Sequence, residues 1–159
     1  AMGPTIKKMA AENKIRLQYR AAGFLDSNLS AQNTAAGNPN SSLRATNALG
    51  CAVDQGIGWD YHDLIFSNQP KTEGDGYSES TLLDIARQLG VTGAKFDTFS
   101  ACVKNQTYKG WANNSFAKFT AEGHSGTPTV LLAGKELTMD ILSNKAKFIK
   151  AVADASKSN

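Results

Sequence analysis

A threonine–proline step precedes a short β-like run late in the chain, Gly126-Thr127-Pro128-Thr129-Val130-Leu131-Leu132. Proline has no backbone N–H, so it is confined to the start or the edge of a strand, and Gly126 lets the backbone turn sharply just before it. The β-branched and aliphatic residues that follow are typical of a short buried strand, and Ala133–Glu136 supplies a turn back into Leu137. The pattern predicts a β-hairpin that is entered through a proline.

The composition restricts the classes of protein that are possible. A chain of 159 residues can bury the core of one domain with an insertion. Its 41% hydrophobic and 19% charged residues exclude a disordered chain, and no apolar run approaches the ~18 residues that cross a bilayer. The net charge of +3 is mild, and the lysines near the C-terminus alternate with apolar residues. We interpret them as a solvated helix face, and we expect no nucleic-acid partner.

The sequence of the first 38 residues predicts a helix, a strand and a loop. Apolar residues at helical spacing favour a helix over residues 5–13, with Pro4 in its first turn. Residues 14–20 alternate polar and apolar, which predicts a strand with Ile15, Leu17 and Tyr19 on its buried face. The Ser-, Asn- and Gly-rich residues 27–38 predict an exposed loop.

The middle of the chain predicts helices only. Apolar stripes with capping and terminating residues indicate five helices, beginning near Ser41 or Ser42, Trp59, Ser78 or Ser80, Ala94 and Tyr108. A last helix over residues 144–156 follows the hairpin. Because the strand at residues 14–20 and the hairpin need sheet partners, the economical interpretation is an α/β frame interrupted by a helical block.

A set of short motifs occurs along the chain in a fixed order: Phe24-Leu25-Asp26, Leu43-Arg44-Ala45, Ala48, Cys51, Phe66, Gln69-Pro70, Cys102-Val103, Trp111 and Gly126-Thr127-Pro128-Thr129-Val130. The most specific of them is Gly-Thr-Pro-Thr at the start of a hairpin after a helical block. Together and in this order they resemble the DsbA-like thiol-disulfide oxidoreductases, especially the bacterial extracytoplasmic branch with a second, structural disulfide.

The resemblance implies a thioredoxin-like α/β fold with an inserted all-helical subdomain. Residues 1–38 and 123–159 are then the thioredoxin-like subdomain, and residues 39–122 the helical insertion. The family's proline at the position of Pro128 is cis, which implies that Gly126, Thr127 and Pro128 form a substrate-docking loop whose backbone pairs with an extended substrate segment. The family's CxxC motif is not found in these residues, so we expect it, with the first strand, upstream of Ala1.

Cys51 and Cys102 are the only cysteines. The resemblance matches them to the structural disulfide of the family, and the alternative, a second redox pair, is disfavoured because catalytic dithiols are usually adjacent at an exposed helix start. We expect no zinc site and no other cofactor, since His62 and His124 would have to converge on both thiols from separate segments. Trp59 and His62 are interpreted as packing residues, and His124 as a loop residue rather than a proton shuttle.

Two functions follow from the resemblance. The first is a thiol-disulfide oxidoreductase of the cell envelope, secreted or membrane-anchored, which acts on exported cysteine-containing proteins and is reoxidised by a membrane partner. In this case the 159 residues without a CxxC are expected to be inactive. The alternative is a non-catalytic DsbA-like binding or sensor domain, for example the extracellular part of a membrane receptor such as a receptor kinase. The presence of an upstream CxxC distinguishes the two.

Overall fold

The computed structural model describes residues 2 to 157, and the chain divides into two compact units. One unit comprises residues 1–19 and 123–159, and the other residues 20–122. Each is described by itself. In chain order the elements are α1 (Gly3–Ala11), α2 (Leu25–Asn28), α3 (Ser30–Ala35), α4 (Ser41–Asp54), α5 (Gly58–Ser67), α6 (Glu79–Gln88), α7 (Gly93–Lys104), α8 (Lys109–Ala121), β1 (Leu131–Leu132), β2 (Lys135–Glu136), α9 (Met139–Leu142) and α10 (Lys145–Lys157).

The first unit is built from α1, the hairpin and the C-terminal helices. Its core is small, because among the described residues only Met9, Phe148 and Val152 are buried in it, and partly buried residues such as Ile15 and Leu132 pack around them. The predicted helices at residues 5–13 and 144–156 are confirmed as α1 and α10 to within two residues at each end. The four-residue helix α9 was not predicted.

The hairpin is present and tightly connected. Leu131 pairs with Glu136 and Leu132 with Lys135 in an antiparallel register. The two turn residues, Ala133 and Gly134, both have positive φ, at 47° and 79°. A two-residue turn with this backbone twist matches the right-handed twist of the paired strands, and the glycine adopts it without steric cost.

The strand predicted over residues 14–20 is not formed, so that prediction was wrong. Within the described residues the sheet has two strands, β1 and β2, and residues 16–23 belong to no helix or strand. The alternation is kept in part, because Ile15 and Leu17 are half-buried while Arg16 and Gln18 are exposed. A strand also needs a hydrogen-bonded neighbour, and the side-chain period alone does not supply one.

The second unit packs its helices around α4. One face of α4 is fully buried, with Ala48, Cys51 and Ala52 at 0–1% exposure. Tyr61 of α5, Leu82 and Ile85 of α6, and Phe99 of α7 complete the same core. The five predicted helices of this region are confirmed as α4 to α8, and Ser78 caps α6 by accepting a hydrogen bond from the Thr81 N–H.

The segment before α4 differs from the prediction. Residues 27–38 were expected to form an exposed loop, but they contain the end of α2 and all of α3. Residues 20–38, assigned from the sequence to the thioredoxin-like subdomain, group with the helical unit. Asp26 explains the grouping, because its carboxylate accepts hydrogen bonds of 2.8 Å from the N–H groups of Ser42 and Leu43. It thereby caps α4, a role that the sequence had suggested for Ser41 or Ser42.

Candidate docking loop and the disulfide

The predicted docking loop lies in the first unit, immediately before the hairpin. Gly126, Thr127 and Pro128 are all exposed, and the Thr127–Pro128 peptide bond is cis. The hydroxyl of Thr129 donates a 2.6 Å hydrogen bond to the Gly126 carbonyl and so closes the loop on itself. Thr127 therefore lies at the tip of a short turn that is held at both ends.

The backbone of Thr127 has polar groups that the fold does not use. Within the part of the chain that the structure describes, neither its N–H nor its C=O takes part in a hydrogen bond. Exposed, unpaired backbone groups next to a strand are what an added extended peptide pairs with. The loop is thus chemically suited to hold a polypeptide by its main chain.

His124 lies close to this loop in sequence and is mostly covered. Its side chain is 15% exposed, and Nδ1 lies 3.9 Å from Glu136 Oε2 on β2. This position ties the segment before the loop to the hairpin, which agrees with its interpretation as a loop residue.

Cys51 and Cys102 lie in the second unit and form a disulfide, with an S–S distance of 2.06 Å. The bond joins α4 to α7, and Cys51 is 1% exposed whereas Cys102 is half-buried. Neither sulfur is at the start of a helix, the position where the helix dipole lowers a thiol's pKa. The Cys51–Cys102 disulfide therefore lies in and against the hydrophobic core of the helical unit.

The acidic and basic groups of the described residues do not form a metal site, since no three His, Cys, Asp or Glu side chains are grouped to hold an ion. The clearest pKa shifts belong to tyrosines. Burial raises the pKa of Tyr61, whose hydroxyl donates a 2.7 Å hydrogen bond to the Leu82 carbonyl. A hydrogen bond to Asp54 raises the pKa of Tyr108. These groups support packing, and none of them lies in the loop at Thr127.

The sequence prediction therefore identified residues that the structure brings together in two separate groups, the loop Gly126–Pro128 and the pair Cys51–Cys102. Trp59, which was interpreted as a packing residue, is 51% exposed, and Phe66, for which no surface position was predicted, is 57% exposed. Both are on α5, where the angular position of each residue relative to Tyr61 and Ile65 would have shown that they face outward.

The fold is thioredoxin-like, as two comparisons with known proteins show. A family model described as Thioredoxin matches residues 9–151, so the chain belongs to this thioredoxin family. Among solved structures it is similar to the reduced form of the disulfide bond oxidoreductase DsbG from Mycobacterium tuberculosis. The TM-score is 0.72 with 23% identity, over 98% of this chain and 68% of that one. No curated protein matches the sequence significantly.

Proposed function

We propose that this chain is part of a DsbA-like thiol-disulfide oxidoreductase of the cell envelope, in which Gly126, Thr127 and Pro128 dock exported, cysteine-containing proteins. The observation that carries the proposal is the exposed Thr127 backbone with its unused N–H and C=O beside β1. Membership of the thioredoxin family and similarity to the fold of a DsbG support it.

Docking at Thr127 positions the substrate and takes no direct part in the disulfide exchange. An extended substrate segment pairs with the loop as an additional strand, which holds the substrate cysteine in a fixed register. Such positioning is a large part of any enzymatic rate, because it replaces a bimolecular encounter by a reaction within one complex.

The exchange itself is assigned to a CxxC that precedes Ala1. A substrate thiolate attacks one sulfur of the CxxC disulfide, forms a mixed disulfide and releases the other sulfur as a thiolate. A second substrate thiolate then attacks the substrate sulfur of the mixed disulfide. The substrate leaves with a disulfide, the CxxC keeps two electrons, and a membrane partner reoxidises it.

The location in the cell envelope is supported by the Cys51–Cys102 bond, since disulfides persist in oxidising compartments. Among the described residues there is no helix of the length and apolarity required to cross a membrane.

The test is an oxidative-folding assay on a reduced protein substrate with two lengths of chain, residues 1–159 and the same chain with its natural upstream sequence. We expect activity from the longer chain alone. A long chain that contains no CxxC and binds peptides without oxidising them would support the binding-domain alternative. Activity of residues 1–159 that disappears in the Cys51→Ser/Cys102→Ser variant would instead make those two cysteines the reactive pair.

A further inference from the structure

Helix α5 carries large aromatic side chains on its solvent-facing side. Its core side is formed by Tyr61, at 0% exposure, and Ile65, at 9%. Trp59 and Phe66 are 51% and 57% exposed, and seven residues of helix place them about 20° apart around the axis. His62 lies between them in sequence, with its ring centroid 4.9 Å from that of Phe66. We call the face formed by these three rings the α5 aromatic face.

This face lies in a stretch of the sequence where acidic residues occur without basic ones. Residues 45–70 contain Asp54, Asp60 and Asp63 and no lysine or arginine, although the whole chain has a net charge of +3. Asp60 is exposed and Asp63 has a side chain 44% exposed. Both follow Trp59 within about one turn of α5 and flank the aromatic face.

Large exposed aromatic residues that form a contiguous patch mark interaction sites, because single exposed hydrophobic residues are ordinary but clusters are costly to keep in water. The flanking carboxylates specify the charge of what binds. They repel the anionic headgroups of a lipid surface and attract lysine or arginine side chains.

We propose that the α5 aromatic face binds an apolar polypeptide segment that carries lysine or arginine, supplied by another protein. Trp59 and Phe66 bury against apolar side chains of that segment, and Asp60 and Asp63 pair with its basic residues. Trp59 and Phe66 are spaced as i and i+7, so they match an amphipathic helix or a short extended strand laid along α5. This surface is independent of the loop at Thr127 and of any redox activity.

The test measures binding of a helical peptide made of leucine and lysine, with the same peptide carrying glutamate at every lysine position as its matched control. Since the chain has two tryptophans, Trp111→Phe leaves Trp59 as the sole tryptophan, whose emission can be excited selectively over that of the tyrosines. We expect the lysine peptide to shift Trp59 emission to the blue and the glutamate peptide to leave it unchanged.

Variants separate the aromatic contribution from the charge. By calorimetry with the lysine peptide, Trp59→Ala or Phe66→Ala should weaken binding at least about tenfold. Asp60→Asn with Asp63→Asn should weaken it chiefly at low salt, because exposed charges are screened. Met139→Ala, which removes a side chain 67% exposed in the other unit, is the control and should bind like the wild type. Circular dichroism verifies that each variant is folded.

Four results would overturn the proposal. One is unchanged binding by the Trp59 and Phe66 variants, and another is equal binding of the glutamate peptide. Concentration-dependent dimerisation that Trp59→Ala abolishes would assign the face to a second copy of this chain. Binding to phosphatidylglycerol vesicles that depends on Trp59 would assign it to a membrane.

Discussion

The backbone N–H of Tyr108 donates a 2.7 Å hydrogen bond to Asn47 Oδ1, across 61 residues of sequence. The Asn47 side chain also donates a 3.2 Å hydrogen bond from Nδ2 to the Val103 carbonyl. Asn47 is 1% exposed within α4, so a single buried side chain satisfies backbone groups on both sides of the turn between α7 and α8. The core of the helical unit thus depends on a polar group as well as on its apolar residues.

Replacing Asn47 by Ala should lower the free energy of unfolding by about 1–3 kcal/mol, because two hydrogen bonds are lost and the partly buried Tyr108 N–H is left without a partner, while the Val103 carbonyl keeps the Gln106 N–H. Urea denaturation followed by circular dichroism measures the change. Asn114→Ala, at an exposed position of α8, is the matched control and should change stability by less than about 0.5 kcal/mol. Equal losses in the two variants would contradict the role of Asn47.

Removing the Cys51–Cys102 bond should destabilise the chain. The bond closes a loop with a sequence separation of 51 residues, for which the chain-entropy model gives about 4 kcal/mol. The measurement compares urea unfolding of the oxidised and the reduced wild type, with mass spectrometry of the alkylated protein to count free thiols. Two alkylated thiols in untreated native protein would show that the bond is not formed.

Tyr61 should make stability fall at alkaline pH. Below pH 10.0, the ordinary tyrosine pKa, Tyr61 keeps its hydroxyl proton in both the folded and the unfolded state. Above this pH the unfolded state releases the proton, whereas the folded state retains it because its Tyr61 pKa is raised. The free energy of unfolding therefore declines with rising pH, at about 1.4 kcal/mol per pH unit for this group.

Tyr61→Phe is the variant that isolates this effect. At neutral pH it should be less stable by about 1 kcal/mol, because the hydrogen bond to the Leu82 carbonyl is lost. The difference from the wild type should shrink as the pH rises above 10.0. The other tyrosines are common to both proteins and cancel in the comparison. Parallel curves of unfolding free energy against pH would refute the assignment.

Gly126→Ala tests the docking loop without disturbing the fold. A Cβ at Gly126 meets no heavy atom within 4 Å, and its φ is not positive, so Ala should fit and stabilise the fold slightly. In the chain with its natural upstream sequence, where we propose the CxxC, the added methyl should hinder the approach of the substrate backbone and reduce the oxidation rate about tenfold.

The matched control is Gly110→Ala, since Gly110 on α8 also has open space around its Cβ position. It should fold and oxidise substrate like the wild type, with a gain in stability of about 1 kcal/mol from helix propensity. The same loss of rate in both variants would show that the Gly126 loop does not contact the substrate.

Local patterns in the sequence determined most of the helices. The stripe Leu82, Ile85 and Ala86 with a cap at Ser78 or Ser80 predicted α6, and the three apolar residues are buried as expected. The run at residues 129–132 followed by turn residues likewise predicted the hairpin, although the predicted turn Ala133–Glu136 is shortened to Ala133-Gly134 because Lys135–Glu136 form β2. These elements are specified by interactions within about four residues of helix or across a two-residue turn, so the sequence alone contains the information.

Tertiary structure decided what the local pattern left open. The alternating residues 14–20 form no strand, because pairing requires a neighbour that no local pattern supplies. Asp26 carried no capping signal in the sequence, yet it caps α4 from 16 residues away. In each case the outcome depends on a partner distant in sequence, and only the folded chain brings that partner into contact.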